Sequence, residues 1–267
     1  MINRRKLIKM GGLLILGSSA TASLPLMSAW GGGRQQIGHH RGSISCDNGT
    51  VPLSDPANRL TGPADFGAAD AVAVTRDSFE GPYFFCANPP GRAIASGKSG
   101  TPLTVAFRVI DTTSGLPVPG AVPGAVVDIW HCDARGVYSG YGADPDQPAA
   151  TGHHLDPDNR QEFCRGALRT DGDGIAEFDT IWPGHYTGRA IHIHFKVHFG
   201  NRSWTTNQTL LPEDLNQRIV DTPSYTTGRA TSRIPNAREA GWGLPTLTVR
   251  ERDGRLIGSL NIGLKGA

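Results

Sequence analysis

The sequence predicts an all-β protein, a β-sandwich of mixed short strands whose long loops carry a functional site. Of the 267 residues, 35 are glycine and 19 are proline, and only 19% are charged. This composition is typical of a turn-rich β protein rather than a helical bundle. Several segments alternate apolar and polar residues with a period of two, which is the pattern of a strand packed on one side. A chain of this length can bury a substantial core.

Residues 1–29 have the pattern of an export signal. The pair Arg4-Arg5 is followed by an apolar run and then by small residues. The apolar run is shorter than the ~20 residues that a membrane-spanning helix needs, so the pattern favours a cleaved signal over an anchor. Cleavage after Ala22 or after Ala29 fits equally well, and a retained N-terminal anchor is the alternative. We expect export by the twin-arginine route to the periplasm or beyond, with no stable membrane insertion after cleavage.

The signal also explains the formal net charge of +2. It contains four basic residues and no acidic residue, so removing it leaves a mature chain with a net charge of −2. A protein that binds nucleic acid usually carries a clear excess of positive charge. The sequence therefore predicts no nucleic-acid partner.

The rest of the chain divides into an extended N-terminal arm, residues 30–78, and a sandwich domain, residues 79–267. The arm is rich in small and polar residues and has little apolar periodicity. Strands are predicted over residues 102–111, 125–132, 163–170, 175–180, 191–199, 204–211, 246–250 and 255–261. One short helix is predicted to follow Pro212, because proline and acidic residues favour the first turn.

Four cysteines in an exported chain suggest two disulfides. Three pairings are possible, and similarity of sequence context favours Cys46 with Cys86 and Cys132 with Cys164. A four-cysteine zinc site is disfavoured, because no two cysteines have C-x-x-C spacing.

The strongest chemical signal lies in residues 182–199. His192 and His194 occupy the same face of a predicted strand, about 6.6 Å apart along the backbone, so both imidazoles can converge on one metal ion. A Pro-Gly turn just upstream brings Tyr186 to the start of this strand. Nitrogen and phenol ligands suit a transition metal such as iron better than magnesium or calcium. Lys196 and His198 share the face of the two histidines, and we expect them to be exposed.

Three motifs, taken in order, resemble the intradiol ring-cleavage dioxygenases, which include the catechol and protocatechuate enzymes. They are residues 128–139 (DIWHCDARGVYS), residues 183–186 (PGHY) and residues 189–195 (RAIHIHF). The resemblance runs from about residue 80 to residue 211, roughly half the chain, and is closest to the exported, single-chain branch of the family.

The resemblance implies an iron(III) site and assigns its residues by motif. The four implied ligands are Tyr138, Tyr186, His192 and His194. Arg189 matches the arginine that lies over the bound ring, Gln208 resembles a glutamine on the following strand, and Tyr83 is expected to line the substrate pocket. Tyr141 is the rival for the first tyrosine, but its context does not match the G-x-Y-S motif.

The implied reaction uses O2 to cleave a catechol-type ring between its two hydroxyl-bearing carbons and gives a muconate-type diacid. Phenolate donors stabilise ferric iron, which acts as a Lewis acid. Tyr186 matches the tyrosinate that substrate displaces, and its phenolate is suited to accept a substrate proton. Arg189 is suited to stabilise carbanion character on the ring. Family members often dimerise, so a homodimer is also implied.

Two other interpretations compete with this one. Cupins are also all-β and use H-x-H, but they have a glutamate soon afterwards, where residues 195–198 read FKVH. A transthyretin-like binding module would share the sandwich without catalysis. Among the other histidines, we expect His131 to be structural, His185 to be a pocket wall or surface residue, and His153 and His154 to be solvated.

Overall fold

A computed structural model describes residues 46, 50–87, 91–119, 124–142, 144–149, 154–199, 202–226 and 233–267. The predicted export signal, its cleavage site, most of the first half of the arm and His153 lie outside these residues. In the described ranges, no helix has both the length and the apolar character needed to cross a membrane.

The described residues form mostly strands, as predicted. The strands are β1 Pro102–Asp111, β2 Leu116–Pro117, β3 Ala125–Trp130, β4 Arg165–Arg169, β5 Ile175–Ile181, β6 His192–Phe199, β7 Arg202–Leu210, β8 Thr248–Arg252 and β9 Arg255–Leu264. The helices are α1 Glu213–Val220 and α2 Pro223–Thr226, and three 3-10 turns cover Pro63–Phe66, Ala69–Ala71 and Asn236–Trp242. Every predicted strand is present, with bounds shifted by no more than a few residues.

Two sheets form the sandwich. One is antiparallel, with strand order β4-β3-β6-β7. In the other, β8, β9 and β1 lie side by side, β5 and β2 also pair with β1, and β1 runs parallel to β9. The second sheet is therefore mixed, and the predicted fold class is confirmed.

The core lies between the inward faces of the two sheets. Apolar side chains at alternate strand positions are fully buried there, among them Val105, Phe107, Ile129, Phe178, Ile193, Phe195 and Ile262. The rings of Phe107 and Phe195 are 5.4 Å apart between centroids, which joins one sheet to the other. Burying each such side chain contributes about 1.5–3 kcal/mol.

The outer face of β6 corrects one prediction. Lys196 and His198 were expected to be exposed, yet both are fully buried. Residues near the end of the arm cover this face: Glu80 forms an ion pair with Lys196, whose Nζ lies 3.6 Å from the centre of the Phe84 ring. The alternation in the sequence shows which residues share a face of β6. It does not show whether that face is exposed, and here both the polar and the apolar face are covered.

The described part of the arm lies against the sandwich. The backbone N–H of Ser54 donates to the carbonyl of Arg169 at 2.8 Å, next to an isolated parallel bridge from Leu53. The buried carboxylate of Glu177 accepts the backbone N–H groups of Leu60 and Thr61. These contacts hold the arm against the sandwich before the chain reaches Glu80 and Phe84, which cover β6.

The cysteine predictions have mixed outcomes. Cys46 and Cys86 form a disulfide, as favoured. The favoured bond between Cys132 and Cys164 is wrong, because the two thiols are buried in different surroundings. Cys132 packs in a cluster of aromatic rings and contacts the carbonyl of Gly184, whereas Cys164 lies in the core between the sheets.

Candidate metal centre

Four buried side chains converge at one end of β6. The Nε2 atoms of His192 and His194 are 3.0 Å apart, and the Oη atom of Tyr138 lies 3.3 Å from the first and 3.1 Å from the second. The Oη atom of Tyr186 lies 3.2 Å from Nε2 of His192. The structure therefore brings together all four residues that the motifs assign as ligands.

Tyr138 is placed by a tight turn after β3. Asp133 organises this turn, because its Oδ1 accepts the backbone N–H groups of Arg135 and Val137. Gly136 occupies the left-handed region at φ 82°, where a side chain would be strained. The next residue after the tyrosine, Ser139, donates to the carbonyl of Phe163 at 2.7 Å and so anchors the end of the turn.

Tyr186 is placed by a second turn that packs directly on the first. The backbone N–H of Gly184 donates to the carbonyl of Asp133 at 3.0 Å. A Cβ atom on Gly184 would lie only 2.6 Å from the carbonyl carbon of Ala134, so this close approach requires glycine. The contact between the turns leaves the rings of Tyr138 and Tyr186 in an edge-on arrangement, 5.7 Å apart.

Each of the two imidazoles is oriented by a contact with a neighbouring residue. Nδ1 of His192 lies 2.7 Å from the carbonyl of Ala190 and donates its proton there, which leaves the lone pair of Nε2 directed at the cluster. The ring of His194 stacks on the indole of Trp130, with centroids 4.8 Å apart and planes 11° from parallel. Cross-strand register explains this pair, since Trp130 on β3 lies opposite His194 on β6.

Burial keeps the cluster uncharged in the absence of a cation. It lowers the pKa of His192 and of His194 well below their ordinary value, because a buried imidazolium loses its hydration. It also raises the pKa of Tyr186 to about 12 and raises the pKa of Tyr138 well above its ordinary value, although nearby Arg189 opposes both shifts. Two imidazole lone pairs and two phenols therefore face one point.

This donor set fits a single transition-metal ion. Donors bound at about 2.0–2.1 Å around one ion are separated by about 2.8–3.4 Å, and the four donor-to-donor distances given above fall in that range. Two nitrogen and two phenol oxygen ligands suit iron, and a bound cation would favour the phenolate form of both tyrosines.

Arg189 connects this cluster to a second group of polar side chains. Its Nη1 donates to the Oη atom of Tyr186 at 3.4 Å, and its Nη2 donates to Oε1 of Gln208. Gln208 is oriented for this contact because its amide nitrogen donates to the carbonyl of Phe79. The carboxylate of Glu239 accepts the Nε proton of Arg189 at 2.7 Å.

Glu239 was not predicted from the sequence. It lies 50 residues beyond Arg189, in the 3-10 turn Asn236–Trp242, and no periodicity or motif marks that segment. A carboxylate near a buried arginine is expected on physical grounds, but the sequence offers no means of choosing which one.

Two proteins that are similar to this chain in sequence are dioxygenases. The chain is 32% identical over 109 residues to catechol 1,2-dioxygenase 1 from Acinetobacter lwoffii, a match that spans 33% of this chain and 30% of the relative. It is 27% identical over 156 residues to chlorocatechol 1,2-dioxygenase from Pseudomonas putida, spanning 49% and 51%. The chain thus matches about half or less of the length of these relatives. No family model matches it.

Structural similarity is more extensive. The intradiol ring-cleavage dioxygenase from Tetranychus urticae superposes with a TM-score of 0.65 at 26% identity, covering 73% of this chain and 95% of that one. In sequence and in fold, the chain is similar to the intradiol ring-cleavage dioxygenases. A dioxygenase domain from Streptomyces sp. SirexAA-E is also similar, with a TM-score of 0.50, 26% identity and coverage of 73% and 100%. These similarities confirm the resemblance and argue against the cupin interpretation.

Tyr83 forms one wall of a narrow pocket beside the four donors of this intradiol dioxygenase homologue. Its ring stacks on that of Tyr138, with centroids 4.7 Å apart. The pocket is also lined by Gly136, Tyr138, Asp144, Pro145, Pro148 and Tyr186, and it encloses only about 10 Å³. That is room for about one water molecule.

The segment 144–149 closes this pocket of the intradiol fold. The backbone N–H of Ala149 donates to the Oη atom of Tyr83 at 2.9 Å. On the other side, the backbone N–H of Thr187 donates to the carbonyl of Pro145 at 3.0 Å. A pocket of this volume has no room for an aromatic ring while these contacts are in place.

The other candidates lie away from the donors of the intradiol site. Tyr141 donates its hydroxyl to backbone carbonyls, including that of Leu155 at 3.0 Å. His131 is buried against the hydroxyl of Thr180 at 2.9 Å, and burial lowers its pKa to about 4. His185 is buried and His154 is half exposed, with its Nδ1 3.6 Å from Glu80.

A second group of metal-binding residue types lies further along β6. Donor atoms of Cys46, Asp128 and His198 lie within 4.8 Å of one another. The sulfur of Cys46 is already bonded to Cys86, so only a carboxylate and an imidazole 3.7 Å apart remain. This group is therefore a buried polar pair rather than a three-donor metal site.

Proposed function

We propose that this protein is a non-haem iron(III) dioxygenase that cleaves a catechol-type ring between its two hydroxyl-bearing carbons and gives a muconate-type diacid. One observation carries the proposal: two phenol oxygens and two imidazole nitrogens are linked by four contacts of 3.0–3.3 Å inside a fold similar to that of an intradiol dioxygenase. The names of the relatives, catechol and chlorocatechol 1,2-dioxygenases, support the substrate class.

The iron would be held by Tyr138, Tyr186, His192 and His194. When bound, it would supply Lewis acidity towards the two oxygens of a chelating catechol. The buried histidines suit this role, because burial keeps their pKa low and their Nε2 lone pairs available.

Tyr186 is the proposed proton acceptor. Burial raises its pKa to about 12, so its phenolate is a strong enough base to take a proton from a catechol hydroxyl. Tyr186 lines the pocket, and its Oη atom lies 3.4 Å from Nη1 of Arg189, whose charge would stabilise the phenolate before the transfer. No other phenol among the described residues combines the pocket with an arginine contact.

Arg189 is the proposed electrostatic partner of the substrate. Its guanidinium is buried and held at the edge of the donor cluster by Gln208 and Glu239. A fixed positive charge in a site closed to water stabilises negative charge that develops on the ring. The closed segment 144–149 and the stacked ring of Tyr83 leave room for only about one water molecule in the pocket beside the donors.

Oxygen consumption with a panel of substrates tests the proposed activity. The purified protein is mixed with catechol, hydroxyquinol or protocatechuate, and O2 uptake and the ring-opened product are measured. We expect uptake of O2 with at least one of them, with a diacid as product. Binding of these compounds without O2 uptake would instead support a transthyretin-like carrier.

We also propose that the protein is exported by the twin-arginine route. The Arg4-Arg5 pattern supports this, and so does the disulfide between Cys46 and Cys86, since such bonds persist in oxidising compartments. Replacing both arginines with lysine should leave the protein in the cytoplasm, as measured by fractionation. Homodimerisation remains an expectation from the family, to be tested by sedimentation.

A further inference from the structure

We propose that Glu239 is a positioning residue of the intradiol site, which holds the guanidinium of Arg189 against Tyr186 and Gln208 and balances its charge. The inference rests on the proposed function and extends it to a segment that no motif marks. Its basis is the set of contacts made by one carboxylate.

The carboxylate of Glu239 is almost fully buried and uses both of its oxygens on neighbours of the donor cluster. Oε1 accepts the Nε proton of Arg189 at 2.7 Å and the backbone N–H of Ala190 at 2.9 Å. Oε2 lies 3.4 Å from Nη2 of the same arginine. Ala190 in turn accepts the Nδ1 proton of His192, so Glu239 fixes backbone that also orients an imidazole donor.

The remaining contacts of Arg189 show the effect of its salt bridge with Glu239. With Nε held by Glu239, Nη1 reaches Tyr186 and Nη2 reaches Gln208. The Cζ atom of Arg189 also lies 5.0 Å from the centre of the Phe79 ring and 4.9 Å from that of Trp242, and these two rings contact each other edge-on. The 3-10 turn Asn236–Trp242 therefore supplies both the counter-charge and one wall of the arginine site.

Charge gives Glu239 a second role. A buried arginine that lacks a counter-ion is strongly disfavoured in a low-dielectric interior. Among the described residues, Glu239 is the carboxylate that forms a salt bridge with Arg189. Without it, the arginine would be free to move towards other acceptors or towards solvent, and its alignment with Tyr186 would be lost.

Glu213 provides a matched control in the same region. It lies at the start of α1, where its Oε2 accepts the backbone N–H of Asn236 at 3.0 Å and its Oε1 pairs with Arg233 at 2.6 Å. It therefore anchors the beginning of the turn that carries Glu239 but makes no contact with Arg189. Replacing Glu213 perturbs the segment but leaves the salt bridge between Glu239 and Arg189 in place.

The first experiment compares Glu239→Gln with Glu213→Gln in the iron-loaded protein. We expect Glu239→Gln to keep its iron, to melt at a lower temperature because Arg189 loses its buried counter-ion, and to lose about 10- to 100-fold in kcat/KM for catechol, mainly through kcat. Glu213→Gln should retain activity close to that of the unmodified protein. Unchanged kcat in Glu239→Gln, or equal losses in both variants, would overturn the proposal.

A double-mutant cycle separates positioning from a general structural role. If Glu239 acts through Arg189, adding Glu239→Gln to Arg189→Gln should cause no further loss of kcat/KM. Losses that multiply would show that the glutamate acts independently and would overturn the proposal. Glu239→Asp, which keeps the charge but is shorter, should recover part of the activity, and it replaces Glu239→Gln in the comparison if that variant does not fold.

The failure of this inference differs from failure of the proposed function. An active, iron-containing protein in which Glu239→Gln has normal kcat would contradict only the role of the glutamate. A protein that binds no iron and cleaves no catechol would contradict both.

Discussion

At the scale of single residues, the two tyrosines of the donor cluster have different surroundings. Tyr138 stacks against Tyr83 and contacts both imidazoles. Tyr186 contacts one imidazole and receives a hydrogen bond from Arg189. These differences suggest that Tyr138 is the permanent ligand and Tyr186 the displaceable one.

Phenylalanine substitutions test this division. Tyr138→Phe should lose iron or shift the visible colour, because it removes a ligand that nothing else replaces. Tyr186→Phe should keep iron and slow substrate binding, because it removes the proton acceptor. Iron content and stopped-flow absorbance measure both effects, and normal turnover in both variants would show that the wrong tyrosines were assigned.

The pairing of His192 with His194 was predictable from sequence, whereas Glu239 was not. Two histidines at period two on a strand share a face because of local backbone geometry. Glu239 reaches Arg189 from 50 residues away, and only the complete fold places it there. Tyr138 lies between these cases, since the resemblance of its motif identified it and local pattern did not.

At the scale of elements, two turns packed against each other hold the two tyrosines in place. The turn of Tyr186 approaches that of Tyr138 so closely that Gly184 has no space for a side chain. The segment 144–149 then closes over both turns through Tyr83 and Thr187. Loops therefore position the two tyrosines, whereas strand β6 supplies the two histidines.

Gly184→Ala should separate the two turns. The new methyl group would overlap the backbone at Ala134, and relief of such overpacking costs typically about 1–3 kcal/mol. We expect lower iron content together with a lower free energy of unfolding, measured by urea titration. Gly172→Ala is the control, because a Cβ atom there has no neighbour within 4 Å; equal behaviour of the two variants would contradict this role for Gly184.

Tyr83→Phe should loosen the closed segment. It keeps the ring that stacks on Tyr138 but removes the acceptor for the backbone N–H of Ala149. A hydrogen bond of this kind contributes about 0.5–1.5 kcal/mol, so the rate of catechol association should rise about 2- to 10-fold in stopped-flow measurements. Tyr141→Phe, which alters a neighbouring ring without touching Ala149, should bind at the normal rate, and an unchanged rate in Tyr83→Phe would show that the segment does not limit entry.

At the scale of the whole molecule, the fold follows from local patterns, but the covering of its outer face does not. Period-two alternation and turn residues predicted the strands and the sandwich. The burial of Lys196 depends on Glu80 and Phe84, which lie more than 100 residues away in the chain, and cysteine pairing depends on distances in three dimensions. Neither can be read from a strand considered alone.

Thiol titration checks the revised cysteine arrangement. In the folded protein no cysteine should react with a thiol reagent, because Cys132 and Cys164 are buried and burial raises the pKa of the Cys164 thiol to about 12. After denaturation without reductant, two thiols should react. No reactive thiol under that condition would restore the second disulfide.

Removing the disulfide should destabilise the protein. The bond joins residues 40 positions apart, and a cross-link of this length stabilises by about 2–4 kcal/mol. The double variant Cys46→Ser with Cys86→Ser should show a loss of this size in urea unfolding. Cys132→Ser breaks no disulfide and serves as the control. If the double variant loses no free energy of unfolding, or no more than Cys132→Ser does, the disulfide contributes little.

The visible absorption spectrum of the purified, iron-loaded protein tests the central claim most directly. Phenolate bound to iron(III) absorbs visible light by charge transfer, so an iron site containing Tyr138 and Tyr186 should make the protein red-brown. Catechol added without O2 should shift the band as it displaces Tyr186. A colourless protein that contains zinc or no metal, with no spectral response to catechol, would contradict the claim.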